Sequence, residues 1–230
     1  MLLLASVTSA KADEVSNPAP STEVTSHKAG AYATVGLGAT FPQNINWDAS
    51  SLTGSAAQGT SFVTELGVGY DFGNNIRAEL TYGYANQPVN QITSSGSLNG
   101  TNLSGSAPLA TTYNASTFLL SGYYDIPTKS RFVPYVGGGI GIGIDTLSAQ
   151  SAMLNGTNFA IQSSTGTTFA YQAKIGVSYF VDKKTDLFVE GVYQGNTGYA
   201  TTASAGNVST TLNLGSNSDF GFRAGARFRF

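Results

Sequence analysis

The last thirteen residues, Ser218 to Phe230, constrain the fold of this chain more than any other segment. From position 220 on, the even positions are all apolar: Phe220, Phe222, Ala224, Ala226, Phe228 and Phe230. From position 219 on, the odd positions are charged or glycine: Asp219, Gly221, Arg223, Gly225, Arg227 and Arg229. A period of two places these sets on opposite faces of one β-strand. An apolar face, a charged face and terminal aromatic residues are typical of a strand in a transmembrane β-barrel.

The composition favours the same class and excludes several others. Only 10% of the 230 residues are charged, well below the roughly 25% of soluble domains. No segment approaches the roughly 18 to 20 unbroken apolar residues that a spanning helix requires. The absence of cysteine excludes disulfide bonds, thiolate metal ligands and cysteine nucleophiles. A net charge of -2 without a basic patch argues against nucleic acid as a partner.

The N-terminal 29 residues are predicted to lie outside the barrel. Leu2 to Val7 resembles the end of a signal-peptide hydrophobic region, and Ala10-Lys11-Ala12 fits a small-x-small cleavage site. We therefore predict a residual signal peptide at 1–12, with the true start codon upstream; a frayed apolar terminus is the alternative. Residues 13–29 are polar and contain proline, which predicts a disordered periplasmic leader. Residues 30–230 are then the barrel domain.

Seven further segments repeat the two-residue alternation, which gives eight predicted strands. They cover about residues 30–41, 61–71, 76–84, 112–124, 132–145, 168–181, 186–194 and 218–230. Each is close to the roughly 9 to 11 residues that cross a bilayer as a tilted strand. The phase of the fourth segment is ambiguous, and we favour the one in which Phe118, Leu120 and Tyr124 face outward. The predicted fold is all-β, an eight-stranded antiparallel transmembrane β-barrel.

The connections between these segments alternate strictly in length. Three are short, at about 72–75, 125–131 and 182–185, and four are long, at 42–60, 85–111, 146–167 and 195–217. A barrel inserted from the periplasm has short turns on the periplasmic side and long loops outside. We therefore predict short periplasmic turns, long extracellular loops and both termini in the periplasm.

The four long connections are almost free of charge, since Asp48 is their one charged residue. Asn99-Gly100 and Asn155-Gly156 stand mid-loop between apolar residues, a pattern typical of type I′ hairpins. The strands are therefore expected to continue beyond the membrane as β-hairpins. Such a surface could bind a sugar or a protein edge through hydrogen bonds, or it could be inert, and the sequence leaves both open.

The inward faces carry equal numbers of acids and bases. The acids are Glu65, Glu79, Asp145, Glu190 and Asp219, and the bases are Arg77, Lys174, Arg223, Arg227 and Arg229. An eight-stranded lumen is narrow, and an unpaired buried charge costs several kcal/mol. We therefore predict a salt-bridge network that closes the lumen, formed by Glu65, Arg77, Glu79, Asp145, Lys174, Glu190, Arg223 and Arg227.

Two alternatives to this closed network stay open. Asp71, Asp219 and Arg229 are predicted near strand ends, where solvation in the periplasm is an alternative to pairing. Exchange of one charge pairing for another would instead make the network a gate for a thin water path.

The sequence gives little support to catalysis or metal binding. The single histidine, His27, lies in the leader, away from any strand-borne serine that it could activate. The glycine run from Gly137 to Gly143 fits no phosphate-binding pattern and is interpreted as making room in the lumen. Zinc ligands are lacking, and the loops lack the acids of a calcium site. We therefore expect neither enzyme activity nor a cofactor.

Two segments resemble a known family. Phe118-Leu-Leu-Ser-Gly-Tyr-Tyr-Asp-Ile-Pro-Thr128, followed by Phe132-Val-Pro-Tyr-Val-Gly-Gly-Gly-Ile-Gly141, resembles the central hairpin of Opa/OmpA-like outer-membrane barrels and bacterial surface antigens. The segment Phe222 to Phe230 resembles their closing strand. This resemblance implies a bacterial outer-membrane location, contact with outer-membrane lipids and recognition of Phe228 and Phe230 by the barrel-assembly machinery.

The resemblance specifies a fold more closely than a function. The favoured function is a non-enzymatic outer-membrane protein with a plugged lumen and a structural or surface-contact role, as an adhesin or antigen. Any surface ligand would bind through 42–60, 85–111, 146–167 and 195–217. The alternative is a small gated pore for ions or small solutes, and a lipid-modifying or proteolytic barrel is the least favoured class.

Deletion of Phe230 is expected to reduce assembly in the membrane far more than folding in detergent, because the terminal aromatic residue would serve recognition rather than packing. The measurement is the folded, heat-modifiable band in outer-membrane fractions and in refolded protein. Phe222→Ala, which removes a mid-strand aromatic residue, is the control. Equal membrane yields with and without Phe230 would refute the assembly role.

Overall fold

The computed structural model describes residues 29–98, 100–154, 157–205 and 208–230. The predicted signal peptide at 1–12, the leader up to residue 28 with His27, and the hairpin residues Asn99, Asn155 and Gly156 lie outside the described residues. The described chain is all-β. Among these residues no helix is long and apolar enough to cross a membrane, a result that does not bear on crossing by strands.

The described residues form fifteen strands, all paired antiparallel. They are β1 Gly30–Pro42, β2 Ile45–Ala49, β3 Leu52–Gln58, β4 Ser61–Asp71, β5 Ile76–Leu98, β6 Thr101–Asn102, β7 Gly105–Asp125, β8 Phe132–Leu147, β9 Gln150–Leu154, β10 Thr157–Ile161, β11 Ser164–Phe180, β12 Thr185–Asn196, β13 Tyr199–Ala205, β14 Val208–Leu214 and β15 Asn217–Arg229.

Eight of these strands close into a ring, in the order β4, β1, β15, β12, β11, β8, β7, β5 and back to β4. The first and last strands of the chain pair with each other from Tyr32 opposite Arg229 to Pro42 opposite Asp219. Closure leaves no free sheet edge in the ring, which is the condition for a β-structure to span a bilayer. The predicted eight-stranded antiparallel barrel is confirmed.

The outward phase predicted for the fourth segment is also confirmed. Phe118, Leu120 and Tyr124 are exposed by 41%, 63% and 48%, whereas Leu119 and Tyr123 between them are buried. Large apolar side chains are exposed in the same alternation on all eight ring strands. In water such a surface would be unfavourable, and in a bilayer it is the lipid-facing band.

Two belts of aromatic side chains border this band. One lies at the end of the barrel that holds the three short turns, called here the turn end: Tyr70, Phe72, Tyr124, Phe132, Tyr179, Phe228 and Phe230. The other lies toward the opposite, hairpin end: Phe41, Phe62, Tyr82, Tyr84, Phe118, Phe169, Tyr171, Tyr193 and Phe220. Paired aromatic belts mark the two membrane interfaces of a transmembrane barrel.

At the hairpin end the long connections are β-structure rather than loops. β5 runs to Leu98, whereas the sequence predicted its end at residue 84, and β7 begins at Gly105 rather than at 112. The sheet continues from β5 through β3, β2, β14, β13 and β10 to β9. Both predicted hairpins are confirmed by the pairs that flank their turns, Leu98 with Thr101 and Leu154 with Thr157.

The interior therefore has two compartments. Within the hairpin end lies a hydrophobic cluster, formed by Trp47, Ala49, Leu52, Val63, Ala85, Val89, Ile92, Leu103, Ala107, Tyr113, Ala115, Leu147 and Leu212. Toward the turn end the inward side chains are charged and polar, and they form the candidate site.

Candidate functional site

Lys174 stands at the centre of the charged compartment. Its Nζ lies 2.6 Å from Glu65 Oε1 and 2.9 Å from Glu190 Oε1. Arg223 forms an ion pair with Glu65 and donates a hydrogen bond to Gln194 Oε1 (2.5 Å). The charged side chains of this cluster are 6% exposed or less, so each charge depends on its partners instead of on water.

Inward glycines make room for the side chains that fill this level. A Cβ atom on Gly137 would collide with the ring of Tyr123, and one on Gly176 would lie 2.6 Å from the Tyr135 hydroxyl. The two tyrosines occupy that space and donate hydrogen bonds inward, Tyr135 to Glu190 Oε2 (2.7 Å) and Tyr123 to Glu79 Oε1 (3.4 Å). Gly137 of β8 and Gly176 of β11 thus permit close approach across a narrow lumen.

Arg77 forms a separate ion pair at the end of β7. Its Nε and Nη2 each donate to the carboxylate of Asp125 at 2.8 Å, a bidentate arrangement. The guanidinium also lies 4.7 Å from the centroid of the Tyr123 ring and 5.2 Å from that of Tyr135, within the range of cation–π attraction. Asp125 was assigned to a turn from the sequence, so this partner was missed.

A second ion-pair cluster, centred on Asp186, lies at the turn end of the lumen. Arg229 lies 2.9 Å from Asp186 and 2.6 Å from Asp71, and Arg227 lies 3.2 Å from Asp186. Asp71 and Arg229 are therefore paired and largely buried, which corrects the alternative that they are solvated. Asp186 was missed, although it shares the inward parity of Glu190, a signal that would have found it.

Three inward acids have no base within 4.0 Å among the described residues: Glu79, Asp145 and Asp219. Asp145 accepts hydrogen bonds from Thr168 Oγ1 (2.8 Å) and from Asn196 Nδ2 (3.0 Å). Asp219 lies at the hairpin end of β15, so the sequence-based placement at the periplasmic end is wrong, and it accepts from Gln194 (3.3 Å). Neutral donors thus replace the cations that the sequence led us to expect.

Two small cavities lie among the described residues of the charged compartment. A cavity of about 10 Å³ lies among Glu79, Lys174, Phe188 and Arg227. A second, also of about 10 Å³, lies beside Thr117 and Arg223. Each has room for about one water molecule.

The two residues expected to guide assembly lie at the turn end on the outer surface. Phe228 is 44% exposed and Phe230 is 83% exposed. The amide nitrogen of Phe230 donates to the carbonyl oxygen of Ala31 (3.0 Å), so the pairing with β1 extends to the last residue.

The described residues contain no group of three or more histidine, cysteine, aspartate or glutamate side chains that could hold a metal ion. The acids of the lumen are engaged by arginine, lysine, tyrosine, threonine or amide groups instead. The arrangement can hold charges in place across the barrel.

The chain matches the family described as "Outer membrane protein beta-barrel domain" over residues 1–228. Among solved structures, the outer membrane protein OprG from Pseudomonas aeruginosa is 17% identical with a TM-score of 0.57, and the match covers 90% of this chain and 99% of OprG. Neisserial surface protein A is 20% identical (TM-score 0.45; 89% and 100% covered). The outer membrane protease OmpT from Escherichia coli is 12% identical (TM-score 0.49; 91% and 100% covered).

No curated protein matches the chain in sequence. At the identities of these solved structures, the likeness concerns the fold alone.

Replacing Lys174 with methionine is expected to destabilise the barrel by about 3 to 5 kcal/mol, because it leaves the buried carboxylates of Glu65 and Glu190 without their shared cation. The measurement is the urea unfolding midpoint of the protein refolded into detergent or vesicles. Lys129→Met, which removes an exposed lysine of a turn, is the control and should leave the midpoint unchanged. Equal midpoints for both variants and the unmodified chain would show that Lys174 contributes nothing to closure.

Proposed function

Because the chain belongs to the outer membrane protein beta-barrel domain family, we propose that it is a non-enzymatic barrel with a closed lumen and a structural or surface-contact role. The family places it in the bacterial outer membrane. In this proposal the turn end faces the periplasm with both chain termini, and the hairpin end faces the exterior.

The contact between Glu65 and Lys174 is the observation that best supports a closed lumen. In the ring order, β4 with Glu65 and β11 with Lys174 are four strands apart in either direction, so they stand on opposite walls. Because their side chains meet at 2.6 Å, the two together reach from one wall of the lumen to the other. Glu190 from β12 and Arg223 from β15 complete a barrier that is anchored on four of the eight strands.

The hydrophobic cluster of the hairpin end supports closure independently. Leu52, Leu103 and Leu212 within it are 1% exposed or less. An ion that entered from this side would first have to pass packed apolar side chains, which provide no hydration.

One observation favours the alternative of a small gated pore. Glu79 has no base within 4.0 Å among the described residues, and it lines the same small cavity as Lys174, Glu65 and Glu190. Movement of the Lys174 ammonium from Glu65 to Glu79 would exchange one ion pair for another and would open the central contact.

Planar-bilayer recording distinguishes a closed lumen from a small gated pore. The refolded protein is expected to give no conductance steps, because salt bridges block the lumen and the cavities between them hold about one water each. Insertion is verified separately by protease protection of the membrane-spanning strands. Discrete, reproducible steps from inserted protein would overturn the closed-lumen proposal and favour the gated pore.

The surface-contact role rests on the structure of the hairpin end. Its strands form a continuous sheet in place of loose loops. Asp48, the one charged residue of the long connections, accepts a hydrogen bond from Asn213 (2.9 Å). Contacts through this surface would use hydrogen bonds and shape instead of ion pairs. The partners in this proposal are outer-membrane lipids, the assembly machinery at Phe228 and Phe230, and a surface ligand at the hairpins.

Removal of residues 150–161, the β9–β10 hairpin, separates the structural role from the contact role. In cells that lack the protein, the trimmed barrel is expected to restore detergent resistance but not cell–cell aggregation. Recovery of both by the trimmed barrel would exclude the hairpin as a contact surface. As a control for orientation, Ser95→Cys in this cysteine-free chain should react with an impermeant maleimide on intact cells.

A further inference from the structure

The exposed bases of the described chain are gathered on two neighbouring turns. Lys129 and Arg131 lie between β7 and β8, and Lys183 and Lys184 lie between β11 and β12. A backbone hydrogen bond from Phe180 N to Arg131 O (3.0 Å) holds the two turns together. The other five described bases point into the lumen. We call Lys129, Arg131, Lys183 and Lys184 the basic rim.

The positive charge of the basic rim is not neutralised within the described protein. None of its four side chains has an acid within 4.0 Å among the described residues. Asp182, an acid of the same turn, accepts hydrogen bonds from the backbone nitrogens of Lys184 (2.7 Å) and Thr185 (2.9 Å) and so stabilises the turn. The turn between β4 and β5, at residues 72–75, carries no charge, so the rim is a one-sided feature of the turn end.

The basic rim lies at the level of lipid headgroups. Exposed apolar side chains flank it on the same turns: Ile126 (42%), Phe132 (58%) and Val181 (44%). The rings of Phe132 and Tyr179 pack at 4.9 Å between centroids directly beside it, as part of the aromatic belt. Aromatic belts sit at the membrane interface, and lysine and arginine stems beside them extend to the phosphate region.

A shallow recess lies on the lipid-facing surface above the basic rim. Four small residues face outward in direct register across adjacent strands: Ala78, Gly122, Gly138 and Ala173. Larger side chains border them along the strands, including Leu120, Ile140 and Ile175. The recess crosses four strands, about 14 Å at the usual strand spacing, and a Cβ atom on Gly122 would meet nothing within 4 Å.

We propose that this sector is a binding site for an anionic phospholipid, with the phosphate on the basic rim and an acyl chain in the recess. Charge complementarity selects an anionic headgroup over a zwitterionic one, since a net positive rim gains from each added negative charge. The adjoining apolar surface selects a lipid over a soluble anion. A polymeric anion deeper in the aqueous phase is disfavoured as the ligand, because the turns that carry the rim are short and end at the interface. The site rests on the membrane location and on the proposed orientation of the turn end toward the periplasm, and it is independent of whether the lumen is closed.

Native mass spectrometry of the detergent-purified barrel, titrated with phosphatidylglycerol or phosphatidylethanolamine, measures this selectivity. The unmodified protein is expected to retain phosphatidylglycerol preferentially. Each base near an anionic headgroup contributes about a fivefold factor in affinity. The quadruple variant Lys129→Gln, Arg131→Gln, Lys183→Gln and Lys184→Gln should therefore bind phosphatidylglycerol with an affinity that is lower by at least about fivefold. The charge-preserving exchange Lys129→Arg, Arg131→Lys, Lys183→Arg and Lys184→Arg should retain the preference.

A second pair of variants tests the recess separately. Gly122→Leu fills it without touching the interior and is expected to weaken phosphatidylglycerol binding severalfold. Ala224→Leu adds similar bulk to an exposed position on β15, on the opposite wall, and should have no effect.

Three results would overturn the proposal. The first is equal retention of the two lipids, and the second is unchanged selectivity in the quadruple variant. The third is competition by inorganic phosphate at the lipid's own concentration, which would indicate a simple anion site. Because the assay needs only folded barrel, conductance in the bilayer experiment would not affect its outcome.

Discussion

The ion pair between Lys174 and Glu65 sets the conditions under which the rest of the barrel can exist. The two side chains come from opposite walls and meet at 2.6 Å, in a lumen whose width follows from the eight strands of the ring. The charged side chains around this contact are almost fully buried, so each of them needs a hydrogen-bond donor or a counter-ion in place of water. The tyrosines, the glycines that accommodate them and the arginine clusters at the turn end are consequences of that requirement.

The polarity of the inward and outward faces changes along the strands of the barrel, and β5 shows the position of the change. From the turn end up to Tyr84 its outward residues are apolar, as with Leu80 and Tyr84 (53% and 39% exposed), and its inward residues include the charged Arg77 and Glu79. Beyond Tyr84 the polarity inverts, because Val89 and Ile92 are buried inside (3% and 2%). Lipid surrounds the first half of β5, so apolar side chains are favourable on its outer face. Water surrounds the second half, so apolar side chains are buried on its inner face. The inversion therefore marks the membrane boundary at the hairpin end.

That inversion explains which parts of the fold could be predicted from the sequence. Alternation with an apolar outer face identified eight strands and their phase, since contact with lipid imposes a single rule on all of them. The same rule fails beyond Tyr84, where polarity reverses and a bulge at Val89 to Gln91 shifts the register. The alternation therefore missed the length of the strands, and only the Asn-Gly pairs indicated that they continue as hairpins. The interior charges were identifiable by parity, but their pairing was not, because partners such as Glu65 and Lys174 meet only when the ring closes. Asp125 was lost for a simpler reason: it lies at the boundary between strand and turn.

The distribution of positive charge links the interior to the surface. Of the nine bases in the described chain, five are held inside the lumen by carboxylates, and four stand on the basic rim. None of the described bases lies at the hairpin end, so that surface has no cation with which to attract a polyanion. The two ends of the barrel are thus suited to different contacts: the turn end to anionic headgroups, through long-range attraction, and the hairpin end to short-range hydrogen bonding that is insensitive to salt. A barrel built this way keeps its ion pairs inside the lumen and its exposed bases at the turn end, and the sheet of the hairpin end carries none of the described bases.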